Sequence, residues 1–437
     1  MTDKKPNILL ITIDSLRADH LGCYGYRHPT SPCIDQMAHE GALFERFFCP
    51  AVPTHPSYTT LYTGQHPITH NVVAHHGKND LARNAPFLPQ LLLSGGYTTC
   101  AVDDLMRQRL WLGRGYEFYI DPSVRHPLVI TVTREELNRR AVPWLRGHAR
   151  DPFFLLLHYW DPHYPYVPPK AYRKLFYEGN PTDPQNRSLQ PWWKHPMGSM
   201  AKDIWLRTPQ GLITDADYVR ALYDQEIRYL DDGVGELLET LRALGIEEDT
   251  VVMLLGDHGE SMTEHNVFFD HYGLYECVLR PPLIVRWPGR IRPGTRRTET
   301  VQHLDVAPTL LEAAGLAVPP AMEGKSFLPM LLERPCEWNA SRVIGLECTW
   351  QAKWCLRTAR YKYILPRLPA DEGPELYDLG EDPQELHNLA SSRPELAREM
   401  EDELEGWIRE RLKALGRAED PLVAHGISLN RIMDGFA

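Results

Sequence analysis

Three short stretches put carboxylates and imidazoles where an apolar run stops. Thr12-Ile13-Asp14-Ser15 ends the run Asn7–Ile13, and Gly256-Asp257-His258-Gly259-Glu260 follows Thr250–Leu255. Trp160-Asp161-Pro162-His163 follows Phe153–Tyr159. Two Asp and a His are good ligands for a divalent cation of hard to borderline character. Asp14 and Asp257 taken singly read equally well as caps of following helices; three such ends together favour a metal site. A fourth stretch, Pro53-Thr54-His55-Pro56-Ser57-Tyr58 through Gly64, has Pro56 suited to the first turn of a helix. That places Thr54 just before the helix N-terminus, where free N–H groups favour an anion. A hydroxyl there that also touches a divalent metal becomes a nucleophile, whereas without a metal it is a plain cap.

These residues need a frame to hold them. The runs Asn7–Ile13, Tyr97–Val102, Phe153–Tyr159, Thr250–Leu255 and Pro282–Arg286 read as buried strands. Between them lie helical patterns, the clearest from Asp217 to Leu244, stopped by Gly245. Strands alternating with helices predict an α/β domain with a mostly parallel sheet. In such a sheet ligands bind beyond the carboxyl ends of the strands, where the Asp and His residues fall. A Pro- and Trp-rich stretch at about 165–215 is too long for an ordinary connection and reads as an insertion that covers something. After residue 335, Arg342–Glu347, Trp354–Arg357 and Tyr361–Leu365 predict a small antiparallel sheet with the helix Arg393–Leu415 packed on it. The expected division is a catalytic α/β domain over 1–335 and a C-terminal subdomain over 336–437.

The 437 residues carry 47 Lys plus Arg against 58 Asp plus Glu, a formal net charge of −11. This balance argues against a nucleic-acid polymer as partner. No apolar run reaches the ~18–20 residues that span a bilayer, so no membrane partner is expected. Asn7–Ile13 is also too short for a signal-peptide core, and the expected compartment is the cytoplasm. The eight cysteines show no CxxC or zinc-finger spacing and read as small buried hydrophobes.

The ordered set NILLITIDSLRADHLGCYG, PTHPSYTTLYTG, HYWDPHYPY, DTVVMLLGDHGE, FFDHYGLYECVLRPPLIVRWPG and RTARYKYI…ELYDLGEDPQELHNLA resembles the sulfatase family within the alkaline phosphatase superfamily. The resemblance implies an α/β/α sandwich with a small C-terminal four-stranded subdomain. It also implies metal ligands at Asp14, Asp257 and His258, with the nucleophile at Thr54. Ser15 stands where a second Asp ligand is frequent, and His258 adds nitrogen character. Both departures favour Mn²⁺ or Zn²⁺ over Ca²⁺, with one site expected and a second possible. The family carries Cys or Ser at the nucleophile position, oxidised to formylglycine, with Arg four residues on; here the residues are Thr54 and Tyr58. A secondary alcohol cannot become that aldehyde, so an ester intermediate on Thr must be cleaved at its central atom by water. That favours phosphorus over sulfur. The missing Arg favours a monoanionic diester or phosphonate monoester.

The resemblance places His163 and His271 against the substrate, His271 near a family Lys that contacts the ester oxygen; an imidazole there can act as general acid. Tyr58 and Asp161 are further substrate-binding candidates. A lesser reading groups Asp161, His163 and His271 as a second metal site. Asp19 and Tyr24 are expected to stabilise the loop after the first strand. His70, His75 and His76 read as metal ligands or as a plain polar loop. The expected function is metal-dependent hydrolysis of a small-molecule phosphate diester or phosphonate monoester through a phosphothreonine, in a homo-oligomer. The alternatives are a sulfatase working without formylglycine and a non-catalytic binding protein of the same fold.

Overall fold

The computed structural model describes residues 5–125 and 132–429. Its central sheet has eight strands in the order Thr295–Arg297, Ala42–Phe44, Leu283–Arg286, Thr250–Gly256, Asn7–Ile13, Phe153–Tyr159, Thr98–Val102, Phe118–Ile120. Leu283–Arg286 runs antiparallel to both neighbours and the other pairings are parallel. The sheet is mixed, and parallel in the stretch that carries the site. The three central strands are buried along their whole length. They therefore read as continuous apolar runs rather than alternating ones. Each fully buried Leu, Ile or Phe there contributes about 1.5–3 kcal/mol.

Helices cover both faces. Thr12 pairs in register with His158, and Ile13 with Tyr159. On one face Tyr58, from the helix Thr54–Thr63, donates its hydroxyl to Thr12 Oγ1 at 2.7 Å. On the other, the Tyr159 hydroxyl donates to Asn138 of the helix Arg134–His148, next to Gly233 of the helix Ala216–Ala243. That last helix is the predicted one: Val219, Leu222, Ile227, Leu230, Val234, Leu237 and Leu241 form its buried stripe. Asp215 caps its start, and Gly245 follows its end at φ 66°. Tyr223 on this helix donates to Ser15 O at 2.8 Å and accepts from Arg17 N at 2.9 Å. The loop after the first strand is thereby fixed from beneath.

The C-terminal sheet orders Glu375–Asp378, Tyr361–Leu368, Ala352–Arg357 and Val343–Cys348 antiparallel, as expected. It has a fifth strand as well: Ala51–Val52 pairs parallel with Val343–Cys348. The residues just before Thr54 are thus built into the second sheet, so the two sheets jointly fix the start of the helix Thr54–Thr63. The helix Pro394–Ala414 buries Leu404, Ile408 and Leu412 against this sheet. The stretch at 165–215 holds the helix Pro196–Ile204 and a two-stranded ribbon. It docks through Trp192 on Phe269 and Trp205 on Tyr166, with ring centroids 5.3 and 5.7 Å apart. Among the described residues no helix is long and apolar enough to cross a membrane.

Candidate metal centre and active site

Asp14, Asp257 and His258 come together just beyond the carboxyl ends of Asn7–Ile13 and Thr250–Gly256, which are adjacent parallel strands. Their ligand atoms lie within 4.8 Å of one another, and all three side chains are buried. Neither Asp caps a helix: the 3₁₀ turn Ala18–His20 begins after Arg17, and a strand pair follows Asp257. Each residue spends one polar atom inside the protein and keeps one free. Asp257 Oδ1 accepts from Ser15 N at 3.1 Å and His258 N at 2.8 Å. Asp14 Oδ1 accepts from Ser15 Oγ at 2.8 Å. His258 Nδ1 donates to Gly259 O at 2.9 Å, which leaves the Nε2 lone pair facing the site. The remaining atoms, Asp14 Oδ2, Asp257 Oδ2 and His258 Nε2, are buried without a hydrogen-bond partner. Buried polar groups are rarely left so. Asp257 Oδ2 lies 3.3 Å and Asp14 Oδ1 3.9 Å from His258 Nε2, and this set of atoms fits a divalent cation.

The electrostatics agree. Burial raises the Asp14 carboxyl, but the His163, His158 and His258 imidazoles outweigh it and hold Asp14 well below the usual range. Burial and the neighbouring Asp14 push Asp257 well above it. Two carboxylates so close cannot both carry charge without a cation. Burial and His271 push His258 down to about 3, so its ring is neutral and able to ligate.

Thr54 is the first residue of its helix and is buried, with Pro53 ahead of it and no side-chain cap at the helix start. The plain-cap reading of Thr54 is not what the structure has. Three residues on, Ser57 Oγ donates to Asp257 O at 2.7 Å, which locks this first turn onto the ligand loop. Tyr58 is fully buried and commits its hydroxyl to Thr12 beneath the site. It acts as a support for the first strand rather than reaching the mouth, so its substrate-binding role is withdrawn.

His163 and His271 sit together at the mouth, ring centroids 5.2 Å apart, with His271 4.6 Å from His258. His163 donates Nδ1–H to Tyr164 O at 2.6 Å, leaving Nε2 free, and burial lowers its pKa. Asp161 does not join them. Its carboxyl pairs with Glu226 of the long helix, and burial pushes it up to about 7. The grouping of Asp161, His163 and His271 as a second metal site therefore does not assemble, nor does Asp161 face the substrate. His70 is used up internally, bonded to Thr60 Oγ1 and Val72 N.

Four candidate functional residues were given no role by the sequence. His158, buried on the strand Phe153–Tyr159, is 2.9 Å from Asp103 Oδ1 and 3.7 Å from Asp14 Oδ2. Burial opposes its protonation, but these two carboxylates outweigh it and push it up to about 10. An imidazolium behind Asp14 orients that ligand. Asp103 anchors it from the end of Thr98–Val102. A lone His within FFLLLHY was the available signal. Glu260 is buried with both oxygens unpartnered, its Oε2 3.7 Å from His271 Nδ1. Burial pushes it up to about 8. Its proximity to the DHG turn was the signal. Arg17, from the loop after the first strand, binds Asp19, Glu264 and Glu260 O; Asp19 and Tyr24, the latter donating to Phe44 O and Leu283 O, were expected in that supporting place.

Residues 6–316 match the family model described as Sulfatase. Residues 263–411 match the model for the C-terminal part of N-sulphoglucosamine sulphohydrolase. The chain is 26% identical over 481 residues to the multifunctional alkaline phosphatase superfamily protein PehA of Trinickia caryophylli, covering 88% of this chain and 91% of that one. It is 25% identical over 485 residues to an arylsulfatase of Clostridium perfringens, covering 92% and 96%. The fold is also similar to that of the phosphonate monoester hydrolase of Agrobacterium radiobacter, at a TM-score of 0.73 and 22% identity over 93% of this chain and 96% of that one. With a hydrolase fold, a buried ligand set at its strand ends and most of its length matched by that first model, the chain belongs to the sulfatase family of the alkaline phosphatase superfamily.

Proposed function

We propose that the chain is a metal-dependent hydrolase of phosphate diesters or phosphonate monoesters with Thr54 as covalent nucleophile. The observation that carries this reading is a threonine, which cannot become formylglycine, at a helix start locked by Ser57 onto the loop of Asp257. Asp14, Asp257, His258 and Thr54 would hold a divalent cation, which would supply Lewis acidity toward the Thr54 hydroxyl and the phosphoryl oxygens. The nitrogen ligand and the Ser15 departure favour Mn²⁺ or Zn²⁺.

Thr54 Oγ1 attacks phosphorus, its proton passing to solvent, and the bond from phosphorus to the leaving oxygen breaks. His271 or His163, both at the mouth, donates a proton to that departing alcohol. Water then attacks phosphorus of the phosphothreonine, the bond to Oγ1 breaks, and the hydroxyl is restored with a proton. The lining supports a substrate of low charge. Imidazoles stand at positions 163 and 271, Tyr58 turns inward, and Arg17 is occupied by Asp19 and Glu264.

A second reading, hydrolysis of a sulfuric ester by unmodified Thr54, draws on the relatives, several of which are named as sulfatases. Purified, metal-loaded protein assayed side by side on an aryl phosphodiester, an aryl phosphonate and an aryl sulfate separates the two. Preference for the phosphorus esters, abolished by Thr54→Ala while metal still binds, is the expected result. Preference for the sulfate rejects the phosphorus reading, and full activity of Thr54→Ala rejects the nucleophile.

A further inference from the structure

The imidazoles of His55, His75 and His76 form a cluster that the reaction as described leaves without a role. Their ligand atoms lie within 4.8 Å of one another, yet the rings are not arranged to chelate an ion. His55 Nδ1 accepts from His76 N at 3.1 Å, so its Nε2 carries the hydrogen and donates to Gln108 Oε1 at 2.9 Å. Both nitrogens of His55 are thereby taken. The His75 ring stacks on it, with centroids 3.8 Å and planes 22° apart, and near-parallel rings aim their in-plane lone pairs past a shared ion. His55 and His75 instead form a platform. His76 stands upright on it, at 75° to the first ring and 87° to the second, and is exposed. Its backbone is left-handed, φ 49°, and the bond from its N–H to His55 holds it there.

A positive charge lies beside this ring. Arg109 Nη2 donates to Gly77 O at 2.6 Å, one residue past His76, and the guanidinium lies over the Trp111 ring at 5.4 Å. Among the described residues Arg109 has no ion-pair partner; the acid it feels, Asp80, stands in solvent. The cluster joins the centre at two places. His55 directly follows Thr54 in the same helical turn, and His75 lies within electrostatic reach of His163 and His271. In-line displacement sends the leaving oxygen away from Thr54. A group bound beside the start of the Thr54 helix therefore belongs to the portion that stays on phosphorus.

We propose that Arg109 and His76 bind a carboxylate at the end of the arm that stays on phosphorus, and so select esters that carry this second negative charge. The proposal rests on the phosphorus reading of the site. A single guanidinium balances one charge, and its planar fork matches a carboxylate. The reacting group itself still meets imidazoles only.

Kinetics are measured with the nitrophenyl monoesters of butylphosphonate and carboxyethylphosphonate on metal-loaded wild type, Arg109→Gln and Arg109→Lys. In the wild type the carboxylate arm raises kcat/KM over the butyl arm on the order of tenfold, through KM. Arg109→Gln removes that ratio and Arg109→Lys restores part of it. No preference in the wild type, or an equal fall for both esters in Arg109→Gln, as a structural role would give, overturns the proposal. Titration calorimetry with carboxyethylphosphonate and butylphosphonate needs no turnover and decides the subsite even if no phosphorus ester is hydrolysed. Tighter binding of carboxyethylphosphonate that Arg109→Gln abolishes supports it. Equal binding, or a preference that survives Arg109→Gln and so belongs to the metal, overturns it.

Discussion

Replacing Asp257 by Asn sets two opposite effects against each other. The amide oxygen can keep both backbone bonds that Asp257 Oδ1 now accepts, from Ser15 N and His258 N. What changes is Oδ2, which faces Asp14 and His258 without a partner. Two full charges 4.8 Å apart, the outer limit for these ligand atoms, repel by about 3.5 kcal/mol at an effective dielectric of 20. Because one carboxyl can stay protonated instead, the relief from Asn is smaller, about 1–2 kcal/mol. At ~2.1 cal/mol/K of unfolding entropy per residue, a chain of 437 residues gains about 1 °C for each kcal/mol. Chelator-treated Asp257→Asn should therefore melt about 1–2 °C above chelator-treated wild type. Mn²⁺ or Zn²⁺ at a thousand times its Kd adds about 4 kcal/mol to the wild type, a rise of about 4 °C, and adds nothing to the variant. Scanning calorimetry with and without metal reads both signs. A variant less stable than wild type without metal, or equally stabilised by metal, would refute the idea that these atoms form a cation site.

Two further substitutions probe the frame. A Cβ at Gly259 would stand 1.9 Å from Cys277 O, a backbone atom that cannot swing aside. Gly259→Ala should displace the turn carrying His258 and weaken metal binding on the order of tenfold or more, measured by titration calorimetry. In the C-terminal sheet Lys362, fully buried, lies 2.9 Å from Glu276 and 2.7 Å from Glu385, and Arg357 also reaches Glu276 at 3.2 Å. Burial works against charge on Glu276, but Lys362 and Arg357 outweigh it and hold the carboxyl at about 2, below its ordinary 4.5. The folded form thus binds this proton more weakly than the unfolded chain. Its contribution, about 3 kcal/mol, is present above pH 4.5 and lost as pH falls toward 2. Urea midpoints measured from pH 7 to pH 2.5 should show Glu276→Gln less stable at neutral pH and flatter in acid; parallel curves would contradict the assignment.

The sequence was most informative where apolar runs end. Seven or so consecutive apolar residues leave little choice but a strand buried on both faces, and adjacent strands bring Asp14 and Asp257 together without further information. The long helix was legible for the same reason, since its stripe from Val219 to Leu241 has one period throughout. Side-chain direction at turns was not legible. Asp161 turns toward Glu226 and Tyr58 toward Thr12 because of partners more than 40 residues away, and no local pattern encodes those. His158 was hidden inside an apolar strand, where one polar residue reads as an interruption rather than as a group aimed at Asp14. The strand Ala51–Val52 is two residues long, too short for any periodicity, yet it ties the nucleophile's helix to the C-terminal sheet.

Identification of the group that becomes covalently modified tests the whole account most directly. Metal-loaded protein is mixed with an aryl phosphonate, quenched in acid within the turnover time, digested and sequenced by mass spectrometry. The account predicts a phosphonyl group on Thr54 and none when Asp257→Asn protein is used. A modified residue other than Thr54 would contradict it.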